Sequence, residues 1–147
     1  MLIDIYVLAP KRTALEVELF LDRFLPSRER TAIDYPVPEY SDSSDVIFET
    51  PEELATYCEE HLVTDQRVYW LNRSSCDPHS AHVYYLADGG LVFGLSVATT
   101  IESDWNCDLE EMQKYTGASC GYWIAESPPK ETVVEFVVES RKATETK

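Results

Sequence analysis

The chain has 147 residues, 44% of them hydrophobic, and a formal net charge of −15. That length suits one globular domain, and the acidity excludes the clustered Lys and Arg that nucleic-acid phosphates or anionic membranes require. No apolar run approaches the ~18 residues of a membrane span. The opening Met1-Leu2-Ile3-Asp4 has no signal-peptide pattern, so the expectation is a cytoplasmic protein with free thiols at Cys58, Cys76, Cys107 and Cys120.

Residues 2–8, rich in β-formers, read as a first strand. Thr13 and Glu16 form a capping-box pattern, predicting a helix to about Leu25 with Leu15, Leu19 and Phe20 on one face and Pro26 ending it. Thr31–Tyr35 reads as a short strand, and Pro36, Pro38 and the Ser41–Asp45 cluster as a loop. Val46–Glu49 is a strand. Thr50-Pro51-Glu52-Glu53 is the clearest helix start, with Thr50 as N-cap and Pro51 in the first turn. Leu54, Cys58, His61 and Leu62 follow at helical spacing.

A meander comes next: strands over Gln66–Arg73, Ala81–Ala87 and Leu91–Ala98, the last two joined by the tight turn Asp88-Gly89-Gly90. Gly94 inside a strand marks a bulge or a close backbone approach. Asp108–Tyr115 is a third helix stopped at Gly117, Cys120–Glu126 a strand, and Thr132–Glu139 a last strand after Pro128-Pro129. The order predicts a single α+β domain over residues 1–139, with a largely antiparallel sheet, about three helices and a frayed polar tail at 140–147.

Charge is the strongest functional signal. Between Arg30 and Arg67 the acids are Asp34, Glu39, Asp42, Asp45, Glu49, Glu52, Glu53, Glu59, Glu60 and Asp65, with no Lys or Arg among them. A second such stretch, from Arg73 to Lys114, holds Asp77, Asp88, Glu102, Asp104, Asp108, Glu110 and Glu111. Fields of this kind steer cationic partners. Glu52 and Glu53 offset the dipole of their own helix. From the Pro- and Ser-rich loop, Glu39, Asp42 and Asp45, and from the polar face of that helix, Glu59 and Glu60, with Trp105 as an aromatic anchor, are the candidate residues for binding a partner.

The histidines sit in thiol–imidazole spacings: Cys58-x-x-His61, and the run Cys76-x-x-His79-x-x-His82. Short spacings like these let two ligands reach one zinc ion, so Cys76, His79 and His82 are the candidate metal ligands. The expectation is nevertheless no metal or other cofactor, because a buried Cys58 on an apolar stripe is ordinary and two clear ligand pairs are missing. A thiol nucleophile fits poorly, because surrounding acids raise rather than lower a thiol's pKa. No phosphate-binding loop, nucleophile elbow or metalloprotease motif occurs.

Aromatic residues concentrate in the predicted sheet, as Tyr69-Trp70, Tyr84-Tyr85 and Tyr122-Trp123. One member of each pair faces either side of the sheet. If helices cover one side only, the outer rings form an exposed aromatic surface; if both are covered, all are core.

The Asp88-Gly89-Gly90 hairpin feeding Leu91-Val92-Phe93-Gly94, followed by a helix and an aromatic strand, spans residues 46–139 of a small acidic chain. In this it resembles the immunity proteins of bacterial toxin systems. The resemblance implies a non-catalytic, toxin-neutralising binder of a basic protein; the expected assembly is a monomer or homodimer. The alternatives are a small enzyme or ligand-binding domain with a pocket lined by Cys76, His79, His82 and Trp105, or a homo-oligomeric scaffold subunit.

Overall fold

In a computed structural model that describes residues 1–39 and 42–145, the chain begins with β1 (Ile3–Leu8) at the interior of a sheet. The remaining elements follow in order: α1 (Ala14–Phe24), β2 (Arg28–Arg30), β3 (Tyr35–Val37), β4 (Val46–Phe48), α2 (Pro51–Glu60), β5 (Gln66–Asn72), β6 (Ser80–Tyr85), β7 (Leu91–Val97), α3 (Glu102–Thr116), β8 (Gly121–Ala125) and α4 (Val133–Glu145). Six strands form one sheet in the order β2-β5-β6-β7-β1-β8, and every neighbouring pair is antiparallel. β3 and β4 make a separate two-stranded ribbon.

The sheet divides two cores. Ile3, Ile5 and Val7 alternate to one face, where they pack with Val17, Phe20 and Leu21 of α1, Leu54, Ala55 and Cys58 of α2, and Leu109 and Met112 of α3. Tyr6, Tyr84, Val92 and Tyr122 face the other side and pack on Phe136 of α4. Both faces therefore carry helices, and Trp70, Tyr84, Tyr85 and Tyr122 are all buried. Of the paired aromatics, Tyr69 and Trp123 are half-buried.

Local signals set several helix ends. Thr13 Oγ1 accepts the Glu16 N–H at 3.1 Å, and Thr50 Oγ1 accepts the Glu53 N–H at 3.2 Å, so both threonines act as N-caps. Gly117 closes α3 with φ of 75°, a left-handed conformation that glycine adopts without steric cost. Gly94 lies opposite Tyr6 in the ladder, and a Cβ there would sit 2.7 Å from the Tyr6 ring, so the close approach expected from its position is real.

Several expectations need correction. Among the described residues the helices number four, not about three, because Thr132–Glu139 is not a strand: Val133–Glu145 is helical. Thr132 caps it, accepting the Glu135 N–H at 3.1 Å, and Asp88 of the hairpin accepts the Val133 N–H at 2.7 Å. Ser140, the expected start of a frayed tail, is buried within α4 and exchanges bonds with both backbone groups of Gly121. Residues 146 and 147 of that tail lie outside the described residues, as does Ser41 of the expected loop. On α1 the buried face is Val17, Phe20 and Leu21, leaving Leu15 and Leu19 in solvent. His61 and Leu62 are likewise exposed, because α2 ends at Glu60. α3 starts at Glu102, six residues ahead of its expected start. Pro36 lies inside β3 rather than in a loop, and β2 had no sequence signal.

Arg12 holds the layers in register. It is 8% exposed, and its guanidinium donates to five carbonyls: Cys58 at 2.8 Å, Leu86 at 2.7 Å, Gly90 at 3.1 Å, His61 at 3.2 Å and Thr64 at 3.0 Å. It thereby satisfies the carbonyls around the C-terminus of α2 and ties them to the β6–β7 hairpin.

Candidate functional site

The expected partner-binding acids fall into two kinds. Glu39 and Glu59 have structural work that the sequence did not show. Glu39 accepts the Arg67 backbone N–H at 2.8 Å and pairs with its guanidinium at 3.3 Å, pinning the segment after β3 to β5. Glu59 accepts the Ala14 N–H at 2.9 Å and so caps the first turn of α1. Asp42, Asp45 and Glu60 are exposed, the first two between β3 and β4, the third at the end of α2.

A denser acidic face forms on α3. Asp104, Asp108 and Glu111 are spaced four and three residues apart, which places them on one helical stripe. Asp77 reaches the same face from the β5–β6 loop, where its two oxygens accept the Ala98 and Thr99 N–H groups at 2.8 and 3.0 Å. Asp104 is steadied by the Thr99 hydroxyl at 3.0 Å. Burial, then the charges of Glu111, Asp104 and Asp77, push the Asp108 carboxyl up to about 6. The ion pairs Arg28–Asp22, Arg67–Glu39 and Arg73–Glu29 all lie away from this face.

Trp105 stands beside these acids. It is half-buried, donates from Nε1 to the Thr99 carbonyl at 2.8 Å, and meets Trp123 edge-on with centroids 4.9 Å apart. Trp123 in turn donates to the Asn106 side chain at 3.0 Å. The result is a rigid aromatic pair framed by carboxylates. Sequence reading selected Trp105 but missed Asp77, Asp104, Asp108 and Glu111. The signal was their spacing, hidden when the helix is started at Asp108.

The Cys–His run does not converge. Cys76 and His79 are exposed in the β5–β6 loop, whereas His82 lies on the sheet face that α4 partly covers. Among the described residues, no group of three or more His, Cys, Asp or Glu side chains stands close enough to hold a metal ion.

His82 belongs instead to a hydrogen-bonded chain. Ser96 Oγ donates to Asp4, so its 2.9 Å contact with His82 Nε2 requires that nitrogen to carry the proton. Nδ1 then accepts from the Tyr84 hydroxyl at 3.3 Å, and Tyr84 contacts the Tyr69 hydroxyl at 3.5 Å. Ser80 Oγ lies 3.0 Å from Nε2. Burial raises Asp4 and, with His79, lowers His82 to about 4. His82 is therefore neutral at pH 7, and its partners are other protein groups. Both ring nitrogens have protein partners, so the hydrogen-bonded chain is internally satisfied.

No family model matches the chain, and neither curated proteins nor solved structures give a significant match. Among the described residues, no helix is long and apolar enough to cross a membrane.

Proposed function

We propose that the chain is a non-catalytic binding protein for a basic protein partner, engaged through the acidic face of α3, Asp77 and Trp105. One observation carries this reading. Asp104, Asp108, Glu111 and Asp77 are held together on ordered elements, at a cost visible in the raised Asp108 carboxyl. Burial is the larger cause of that rise and the neighbouring acids the smaller, and a cationic partner offsets the acids' share. The Trp105–Trp123 pair supplies the apolar centre that interfaces favour. Asp42, Asp45 and Glu60 add long-range steering rather than contact. Toxin neutralisation, which the general resemblance implies, is the mode of action this charge pattern suits.

Affinity capture from the source cell tests the proposal. Wild-type chain should retain a basic protein at low salt, and the triple variant Asp104→Asn, Asp108→Asn, Glu111→Gln should lose it. Equal recovery by both, or a captured partner that is acidic, would refute the assignment of this face.

A further inference from the structure

α3 carries a second surface at its other end. Between its last turn and α1 runs a groove of about 550 Å³, lined by Glu16, Leu19, Phe20, Arg23, Phe24 and the 114–117 segment. Its rim is apolar and open, with Leu19 55% and Tyr115 52% exposed, and Leu15, one turn before Leu19 on α1, is 62% exposed. Arg23 lies 3.9 Å over the Tyr115 ring, and Lys114 lies 5.7 Å from the same ring. Neither cation forms an ion pair among the described residues, although the chain has 27 acids and 12 Lys and Arg. Two unpaired cations beside an open aromatic groove call for an occupant that brings both apolar side chains and carboxylates.

The pattern on α1 names that occupant. Glu16, Leu19 and Arg23 lie on one stripe at spacings of three and four, the seam periodicity of packed helices. The stripe has an acid at one end, a base at the other and leucine between, so it complements itself when reversed. We propose that this groove seats a second copy of the chain, in a twofold dimer built on antiparallel α1 helices. With the axis passing between Leu19 and Phe20, Glu16 of each copy faces Arg23 of the other, and Leu15 faces Phe24. Such an isologous contact closes on itself and does not propagate. The net charge of −15 opposes association, but repulsion between distant charges is screened beyond about 8 Å at physiological salt.

Sedimentation equilibrium of the intact chain at physiological salt, from about 10 μM to about 1 mM, tests the proposal. A concentration-dependent dimer is expected, abolished by Leu19→Asp, which alters an exposed side chain and leaves the fold intact by circular dichroism. Glu16→Arg and Arg23→Glu each set like charges opposite one another twice, and each should weaken the dimer by about tenfold or more. The double variant carrying both changes restores the pairing and should recover most of that loss. A chain monomeric throughout, a dimer indifferent to Leu19→Asp, or a double variant no tighter than the single ones would overturn the proposal. These outcomes are independent of partner capture by the α3 acids.

Discussion

Replacing Arg12 with Met keeps an unbranched stem in the loop between β1 and α1 and removes the guanidinium. Five hydrogen bonds disappear, all to backbone carbonyls. Three of those acceptors keep another donor: His61 accepts from Thr64, Leu86 from Gly89, and Gly90 from Leu86. The carbonyls of Cys58 and Thr64 lose the donor that the structure gives them. A buried unsatisfied carbonyl costs about 1–3 kcal/mol, so two of them, with the weakened satisfaction of the other three, come to about 4 kcal/mol. Against a total stability of roughly 5–15 kcal/mol this is a large fraction. It corresponds to a fall in melting temperature of about 12 °C for a domain of this size. Equilibrium urea unfolding reads the change directly, with the midpoint falling and the slope unchanged. Arg12→Lys should recover less than half of the loss, because one ammonium cannot span acceptors on separate segments. A loss under about 1 kcal/mol for Arg12→Met would show that water replaces the guanidinium freely and that Arg12 is no keystone.

Three further outcomes follow from buried and crowded groups. His82 titrates at about 4 in the fold, below its ordinary 6.5, so its contribution is complete above about pH 6.5 and is lost as pH falls toward 4. The difference between wild type and His82→Gln should shrink by up to about 3 kcal/mol across that window, and a constant difference would contradict the burial of a neutral imidazole. Asp108 has the opposite sign: its carboxyl is raised from 3.8 to about 6, so stability is lost as pH rises through that range. Asp108→Asn should therefore gain about 1 kcal/mol at pH 7, after allowance for solvent screening, and little at pH 3.5, while weakening partner affinity. A variant less stable than wild type at pH 7 would remove the crowding argument. Gly94→Ala places a methyl 2.7 Å from the Tyr6 ring and should cost at least about 2 kcal/mol in urea unfolding; a neutral change would mean that Tyr6 shifts freely.

Elements with local chemistry were legible in the sequence. The Thr13 and Thr50 caps, the hairpin at Asp88-Gly89-Gly90 and the stop at Gly117 each depend on a few neighbouring residues. α4 reads as a strand in the sequence because Val133, Val134, Phe136, Val137 and Val138 are β-formers, whereas the Thr132 cap on Glu135 that starts the helix is a single weak local signal. Tertiary context decides there: Phe136 and Ser140, four residues apart, meet Tyr122 and Gly121 of β8. Glu39 and Glu59 looked like spare acids because their bonds join positions 28 and 45 residues apart, beyond any local pattern. Arg12 was invisible for the same reason. The α3 acids could have been found, since Asp104, Asp108 and Glu111 share a helical stripe once the helix is begun before Trp105.

The central claim is that ordered carboxylates on α3, set around Trp105, recognise a basic protein. Calorimetric titration of the captured partner, from about 50 mM to about 500 mM salt, addresses it most directly, because exposed charges are screened over shorter distances as salt rises. The account predicts that affinity falls by about tenfold or more across that range, and that Trp105→Ala costs about 2 kcal/mol at low salt. The triple neutralisation of Asp104, Asp108 and Glu111 should flatten the salt dependence, whereas neutralising Asp42, Asp45 and Glu60 should slow association with little effect on dissociation. Affinity indifferent to salt and to the α3 triple variant would contradict the account.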